Sequence, residues 1–109
     1  MGTNGRLEFT LDGLIFRRTT SAAATRGVER LHSIEWASIE AAAVERSGKG
    51  KPVVVVQVAG VAPVADRKRD PHALKVKRSQ VEDARRFVDL VNNEVATRRG
   101  WDAAAEQGA

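Results

Sequence analysis

The sequence predicts an α+β domain that is mainly β, in which a bent antiparallel sheet of about six or seven short strands is capped by one C-terminal helix. Segments of alternating or β-branched residues fill the chain as far as Arg78, and turn-forming residues such as Asp12 and Gly13 separate them. The segment Ser79–Arg99 instead repeats apolar side chains at steps of three and four residues, which is the spacing of an amphipathic helix. Such a helix needs an apolar surface to cover, and a sheet of short strands provides one.

Length and composition are typical of a single globular domain. The 109 residues suit one core, and 42% of them are hydrophobic but only 5% aromatic, so we expect an aliphatic core. No apolar run reaches the roughly 20 residues that a membrane-spanning helix needs. The chain has no cysteine, which excludes disulfides, thiolate metal sites and a cysteine nucleophile. We therefore expect a cytoplasmic protein without a membrane span.

The two ends are expected to lie outside the folded domain. Residues 1–4 are predicted to be a flexible N-terminus, residues 5–101 the domain and residues 102–109 a flexible tail. The first residues lack the apolar segment of a secretion signal. A composition rich in alanine and arginine and free of cysteine favours an origin in a GC-rich bacterium or its phage.

The first two strands are predicted to form a hairpin. Segment Arg6–Leu11 alternates apolar and polar side chains, and Leu14–Thr19 follows it. Asp12 and Gly13 between them are the pair that a tight hairpin turn prefers, because both positions favour positive φ. The next segment, Thr20–Gly27, is small and polar and is predicted to be a loop. The side chains expected to face the core from this hairpin are Leu7, Phe9, Leu11, Leu14 and Phe16.

Four further strands are predicted before the helix. Val28–Ser33 is the third, and Ile39–Arg46 is the fourth. The alanines around the fourth strand also suit a helix over Ser33–Arg46, but isoleucine, tryptophan and valine favour the strand. Val53–Ala59 is the clearest strand, since four successive valines suit a buried, pleated surface. The last strand, His72–Arg78, follows a long loop and leads directly into the helix.

The predicted helix has a signal at each end. Ser79 and Glu82 have the spacing of a capping box, and Gly100 is placed as a left-handed stop. The apolar stripe consists of Val81, Ala84, Val88, Val91 and Val95, with Phe87 and Leu90 widening it.

The two tryptophans are predicted to lie in different surroundings. Trp36 is flanked by Ile34 and Ile39, so we expect it to be buried. Trp101 follows the predicted end of the helix. We expect it to fold back over the core, and exposure as an anchor for a partner is the alternative.

Three stretches carry a resemblance to a known family: Gly5–Arg17 (GRLEFTLDGLIFR), Ser33–Ala42 (SIEWASIEAA) and Leu74–Asn92 (LKVKRSQVEDARRFVDLVN). With the order of strands and helix, they resemble the small bacterial pleckstrin-homology (PH)-like domains, whose functions are mostly unassigned. The resemblance implies a sheet bent into a partly open barrel, with the helix plugging one open end. The plug would consist of Val81, Phe87, Val88, Val91 and Val95.

The lipid site of PH domains does not follow from this resemblance. PH domains that bind phosphoinositides do so with basic residues in the first hairpin loop. Here that loop is the turn from Leu11 to Leu14, which contains Asp12 and no basic residue. The resemblance therefore implies a fold and no specific ligand.

The positive charge is concentrated in one segment. The net charge is +4, and residues 66–78 carry six basic and two acidic side chains, so this segment accounts for the whole excess. We expect it to bind an acidic protein surface, with anionic lipid or nucleic-acid phosphates as the alternative and a merely solvated loop as the simplest reading. No aromatic residue interleaves the bases, so the stacking used by single-stranded nucleic-acid binders is missing. The predicted partner-binding residues are Arg67, Lys68, Arg69, Lys75 and Lys77.

The sequence offers little for catalysis. Asp70 and His72 could form a carboxylate-oriented base beside Ser79, but no nucleophile elbow or oxyanion loop accompanies them, and Ser79 is already explained as a helix cap. His32 and His72 alone, without cysteine, fall short of a zinc set. We therefore expect a non-catalytic interaction module without a cofactor or a metal.

Overall fold

Two three-stranded antiparallel sheets and a long C-terminal helix make up the described fold, which is therefore α+β. The computed structural model describes residues 5–26, 29–46, 50–62 and 70–108. Within these residues, the first sheet has the order β1-β2-β3 and the second has the order β4-β5-β6. The described strands of the two sheets do not join into a closed barrel. Within each sheet, strands that follow one another in sequence pair antiparallel.

The element bounds follow the chain in order. The first sheet contains β1 (Gly5–Phe9), β2 (Gly13–Arg18) and β3 (Leu31–Glu35), with helix α1 (Thr20–Arg26) between the last two. The second sheet contains β4 (Ile39–Arg46), β5 (Pro52–Val58) and β6 (Ala73–Lys75). A 3-10 turn, Trp36–Ser38, joins the sheets, and another, Arg78–Gln80, leads into α2 (Val81–Gly108).

The strand prediction for Ile39–Arg46 is confirmed, and the helical alternative is wrong. β3 begins and ends later than the predicted Val28–Ser33. β6 covers only Ala73–Lys75 of the predicted His72–Arg78. It is short because the chain turns into the 3-10 segment at Arg78 to begin the helix.

The prediction of a loop at Thr20–Gly27 is wrong, because α1 occupies most of it. Alanine has the highest helix propensity of any residue, and three alanines stand in a row here. The backbone N–H of Ala23 donates to the carbonyl oxygen of Thr19 (3.0 Å), and the Ala23 side chain is buried. The Ala23 side chain thus packs the helix against the domain.

The helix α2 differs from the prediction at both ends. It begins at Val81, so Ser79 lies in the preceding 3-10 turn and not at the cap, and Glu82 pairs with Arg85 (3.0 Å). At the other end the backbone continues through Gly100 as far as Gly108, where a stop and a tail were predicted. Gly100 does not have a positive φ. None of the described helices is both long and apolar enough to cross a membrane.

The apolar stripe of α2 packs mainly on β4, as its period predicts. Ala84, Val88, Val91 and Val95 are buried, and Phe87 is half-buried against the core. Leu90, which was expected to widen the stripe, is 58% exposed. The other core residues from the two sheets are Leu7, Leu14, Phe16, Ile34, Trp36, Ile39, Ala42, Val54, Val56, Leu74 and Val76.

The first hairpin turn is one residue earlier than predicted. Thr10 and Gly13 close it, since the Thr10 hydroxyl donates to the Gly13 carbonyl oxygen (2.8 Å) and accepts from the Gly13 N–H (3.1 Å). No described residue other than glycine has positive φ, so Asp12 does not adopt the predicted conformation. Leu11 lies at the tip and is 84% exposed, so its predicted burial is wrong.

Asn92 on α2 forms hydrogen bonds with backbone groups at the free edge of β4. Val56 on β5 donates its backbone N–H to the His72 carbonyl oxygen (2.8 Å), so at this level β5 bonds toward β6. Ala42 lies opposite Val56, and its own N–H and carbonyl therefore point away from β5. The Asn92 amide bonds to both groups. The helix thereby takes the place of a neighbouring strand.

Arg18, at the end of β2, likewise forms hydrogen bonds with backbone groups at the edge of β6. Its Nη2 donates to the carbonyl oxygens of Pro71 (2.6 Å) and Ala73 (3.0 Å). The side chain is buried, and its guanidinium carbon lies 4.4 Å from the centre of the Phe16 ring. One arginine from the first sheet is thus bonded to the backbone of the second.

Candidate functional site: the basic end of the second sheet

The predicted partner-binding residues are only partly described by the structure. Arg67, Lys68 and Arg69 lie outside the described residues. Lys75 is the last residue of β6 and is half-buried, and Lys77 follows it and is exposed. The described part of the predicted site therefore consists of these two lysines and their surroundings.

Strand register places further basic residues at the same end of the second sheet as Lys75. Arg46 is the last residue of β4 and lies opposite Pro52, the first residue of β5. Lys75 lies opposite Val53, and the backbone N–H of Val76 donates to the Pro52 carbonyl oxygen (3.1 Å). Three strand ends thus meet at one end of the second sheet. We call this surface the basic end and define it by Arg46, Lys51, Lys75, Lys77 and Arg78.

The hairpin turn between β4 and β5 holds one of these side chains in place. Gly50 has a φ of 74°, a conformation that favours glycine. Its carbonyl oxygen accepts a hydrogen bond from Nη1 of Arg46 (3.3 Å). The Arg46 guanidinium is therefore held at the end of the hairpin while remaining exposed to solvent.

The basic end is electropositive and accessible. Four of its side chains are exposed, Lys75 alone being half-buried, and Glu45 is the acidic residue at the same end of β4. β4 and β6 lie on either side of β5, so the strands that carry Arg46 and Lys75 are about 9.6 Å apart, twice the spacing of neighbouring strands. This is slightly more than the screening length of about 8 Å at physiological ionic strength. The charges therefore attract an anionic partner that spans all three strand ends.

Arg46 and Lys51 were missed by sequence reasoning. The signal was present, because a strand ending at Arg46, a short turn and a strand beginning at Val53 form a hairpin whose ends meet. The pairing register between β5 and β6 could not be predicted, because a long predicted loop separates these two strands in the sequence. Arg78 was counted in the basic segment but not named as a contact residue.

A cavity of about 240 Å³ lies on the second sheet. Its described walls are mainly alanine and valine side chains from β4 and β5, and Asp70 and His72 border it. Glu45 and Gln57 also line it, and its volume is below the roughly 300–1,000 Å³ that is typical of small-molecule sites. The cavity matters here as the neighbour of a second feature, the histidine pair.

The two histidines meet across the two sheets. His32 lies in β3 and His72 immediately before β6, and their Nε2 atoms are 3.3 Å apart. Burial lowers the pKa of His32, and the charge of Arg18 lowers it further. Burial also lowers the pKa of His72, as do His32 and Arg18, while Asp70 acts in the opposite direction. Both rings are half-buried.

A carboxylate-oriented base, which the sequence did not favour, would need the Asp70 carboxylate to bond to the His72 ring. Asp70 is buried and accepts a hydrogen bond from the backbone N–H of His72 (2.9 Å). The His72 ring instead faces His32, and Ser79 is exposed in the 3-10 turn. The described part of the chain contains no group of three or more histidine, aspartate or glutamate side chains arranged to hold a metal.

The tryptophans lie near the other end of the molecule. Trp36 is buried as predicted, and its Nε1 donates to the Thr10 carbonyl oxygen (3.0 Å). Trp101 is 61% exposed, so the expected folding back over the core is wrong. It is carried outward because α2 continues past Gly100. The Arg98 guanidinium lies 5.9 Å from the centre of the Trp101 ring.

No protein-family model, curated protein or solved structure matches this chain in comparisons with known proteins.

Proposed function

We propose that the chain is a non-catalytic PH-like interaction module that binds an acidic protein partner through the basic end. The PH-like part rests on the resemblance in sequence and on the described order of six antiparallel strands followed by a C-terminal helix. The apolar stripe of α2 covers the second sheet, as a plugging helix would. Two separate sheets stand where a single bent sheet was expected, and they are bridged by side chains such as Arg18.

The single observation that carries the proposed function is the meeting of bases from three chain segments. Arg46 comes from the end of β4, Lys51 from the turn before β5, and Lys75 from the end of β6. Lys77 and Arg78 add two exposed charges immediately afterwards. A solvated loop would need no such convergence, whereas an anionic partner is attracted by it.

Two observations favour a protein partner over lipid or nucleic acid. The first hairpin turn, where PH domains place their phosphoinositide-binding bases, is closed by Thr10 and Gly13 and carries Asp12. The basic end has no aromatic side chain on which a nucleic-acid base could stack. Carboxylate groups of a protein partner would form charge-assisted hydrogen bonds with the arginine and lysine side chains of the basic end.

The test uses a fluorescent polyglutamate peptide as a defined acidic probe. Its binding to the tag-free full chain is measured by anisotropy at 50 and 200 mM salt (about 14 and 7 Å of screening length). The variant carries Arg46→Glu, Lys77→Glu and Arg78→Glu. The control carries Arg6→Glu, Arg86→Glu and Arg99→Glu, which changes the charge equally at exposed positions elsewhere.

We expect binding that weakens at the higher salt, that the basic-end variant loses at least about tenfold and that the control largely keeps. Equal losses in both variants would show that only net charge matters and would contradict the proposal. Anionic vesicles and a DNA duplex are tested in parallel. Tighter binding of either one, lost in the basic-end variant alone, would overturn the choice of a protein partner in favour of that ligand.

A further inference from the structure

The histidine pair has a geometry that a hydrogen bond alone does not require. His32 and His72 are 40 positions apart in sequence and come from different sheets. Their Nε2 atoms are 3.3 Å apart, their ring centres are 5.3 Å apart and the ring planes are inclined by 35°. The same nitrogen of each ring thus points into the space shared by the two rings.

This spacing matches one edge of a tetrahedral metal site. With a metal–nitrogen distance of about 2.05 Å and an angle of about 109°, two imidazole ligands have nitrogens about 3.3 Å apart. With a ring radius of about 1.2 Å, the same geometry places the ring centres about 5.3 Å apart. A collinear N–H···N bond of the same length would place them about 5.7 Å apart. The observed 5.3 Å is nearer to the metal arrangement.

The charged side chains around the pair act on a cation in opposite directions. Asp70 is buried beside His72, and its negative charge favours a nearby cation. Arg18 acts in the opposite direction on both rings. Both histidines are half-buried, and His72 borders the cavity on the second sheet, so solvent reaches the pair. Water or a partner's side chain would have access to the remaining coordination positions.

We propose that Nε2 of His32 and Nε2 of His72 together bind one divalent transition-metal ion of the kind that prefers imidazole, such as Zn²⁺ or Cu²⁺. Such ions favour nitrogen ligands, whereas Mg²⁺ and Ca²⁺ favour oxygen. Only the folded chain brings β3 and the start of β6 together, so the ion binds the native state and stabilises it. The bound metal is a link between the two sheets.

The test uses the tag-free full chain, because a polyhistidine tag would bind the same ions. The chain contains only two histidines, so their imidazole NMR signals are assigned with one variant. Zn²⁺ is titrated at pH 7.5, with Mg²⁺ as the control ion. We expect both imidazoles to shift together and to saturate at one Zn²⁺ per chain, with no response to Mg²⁺.

A second measurement uses the parent chain first, so that its result does not depend on whether a variant folds. Thermal unfolding is followed with increasing Zn²⁺, and the melting temperature of the parent should rise with the logarithm of the concentration. His32→Gln and His72→Gln should each abolish the rise, while Asn93→Gln, an exposed change on α2, should not. Imidazole signals that do not move, or that move singly, would overturn the proposal. So would a rise in melting temperature that persists in both histidine variants.

Discussion

The side-chain amide of Asn92 pairs with the backbone of Ala42 as a neighbouring strand would. Its Oδ1 accepts from the Ala42 N–H at 2.8 Å, and its Nδ2 donates to the Ala42 carbonyl oxygen at 3.0 Å. Ala42 is buried, so water does not replace these bonds when the amide is removed. The packing of α2 on β4 is therefore specified by two directed bonds as well as by apolar contact.

Asn92→Ala should lower the free energy of unfolding by about 2 kcal/mol, because it leaves two buried backbone groups without partners. The measurement is urea unfolding followed by circular dichroism. Asn93→Ala is the matched control, since Asn93 is exposed on the same helix, and it should stay within about 0.5 kcal/mol of the parent. Equal effects of the two changes would show that the Asn92 bonds do not contribute.

Arg18→Ala should cost more than Arg17→Ala on the same strand. The Arg18 side chain is buried, bonds to two carbonyl oxygens of the β6 edge and covers Phe16, whereas Arg17 is exposed and pairs with Glu8 (2.8 Å). We expect a loss of about 3 kcal/mol for Arg18, since a cavity and unpaired carbonyls remain. The exposed pair should contribute about 0.5 kcal/mol. Equal loss in equilibrium unfolding by urea would contradict the bridging role.

Two glycine-to-alanine changes should have opposite signs. A Cβ on Gly13 would lie 1.9 Å from the Ile34 carbonyl oxygen, at a φ of 156° that suits glycine, so Gly13→Ala should destabilise by about 3 kcal/mol. Gly100 lies within α2 with nothing near its Cβ position, so Gly100→Ala should stabilise by about 1 kcal/mol. Thermal unfolding of both variants measures this. A destabilised Gly100 variant would indicate that the helix ends there.

Stability should fall as the pH falls below about 6.5, the ordinary histidine pKa. Burial lowers the pKa of both His32 and His72, so the unfolded chain binds protons at a higher pH than the folded one. Their contribution is therefore fully present above that pH and is lost on acidification. Urea unfolding at pH 7.5 and 5.5, with a chelator present, measures the loss. A double variant, His32→Gln with His72→Gln, should lose less stability between the two pH values than the parent does.

The periodic parts of the fold were predictable from the sequence, because one residue pattern determined each of them. The spacing of Val88, Val91 and Val95 identified the buried face of α2, and the valines of β5 identified a buried strand. Local propensity also contained the signal for α1, but the small residues of Thr20–Arg26 suit a loop as well as a helix, and only packing of Ala23 decides between them.

The contacts between elements were not predictable in the same way. Asn92 lies four residues after Val88 and three before Val95, so its place within the stripe was visible, but its partner on β4 was not. The meeting of His32 and His72 depends on how two sheets are placed, which no local pattern specifies. The basic end likewise needed the register of β6, although the hairpin of β4 and β5 already placed Arg46 near Lys51.

The measurement that most directly tests the proposed binding surface is residue-by-residue NMR mapping of polyglutamate on the tag-free parent chain. The account predicts that backbone amide signals of residues 45–46, 50–53 and 75–78 shift progressively at 50 mM salt (about 14 Å of screening length), and that the shifts diminish at 200 mM. Shifts centred on the exposed arginines of α2, such as Arg86 and Arg99, with the basic end unchanged, would contradict it.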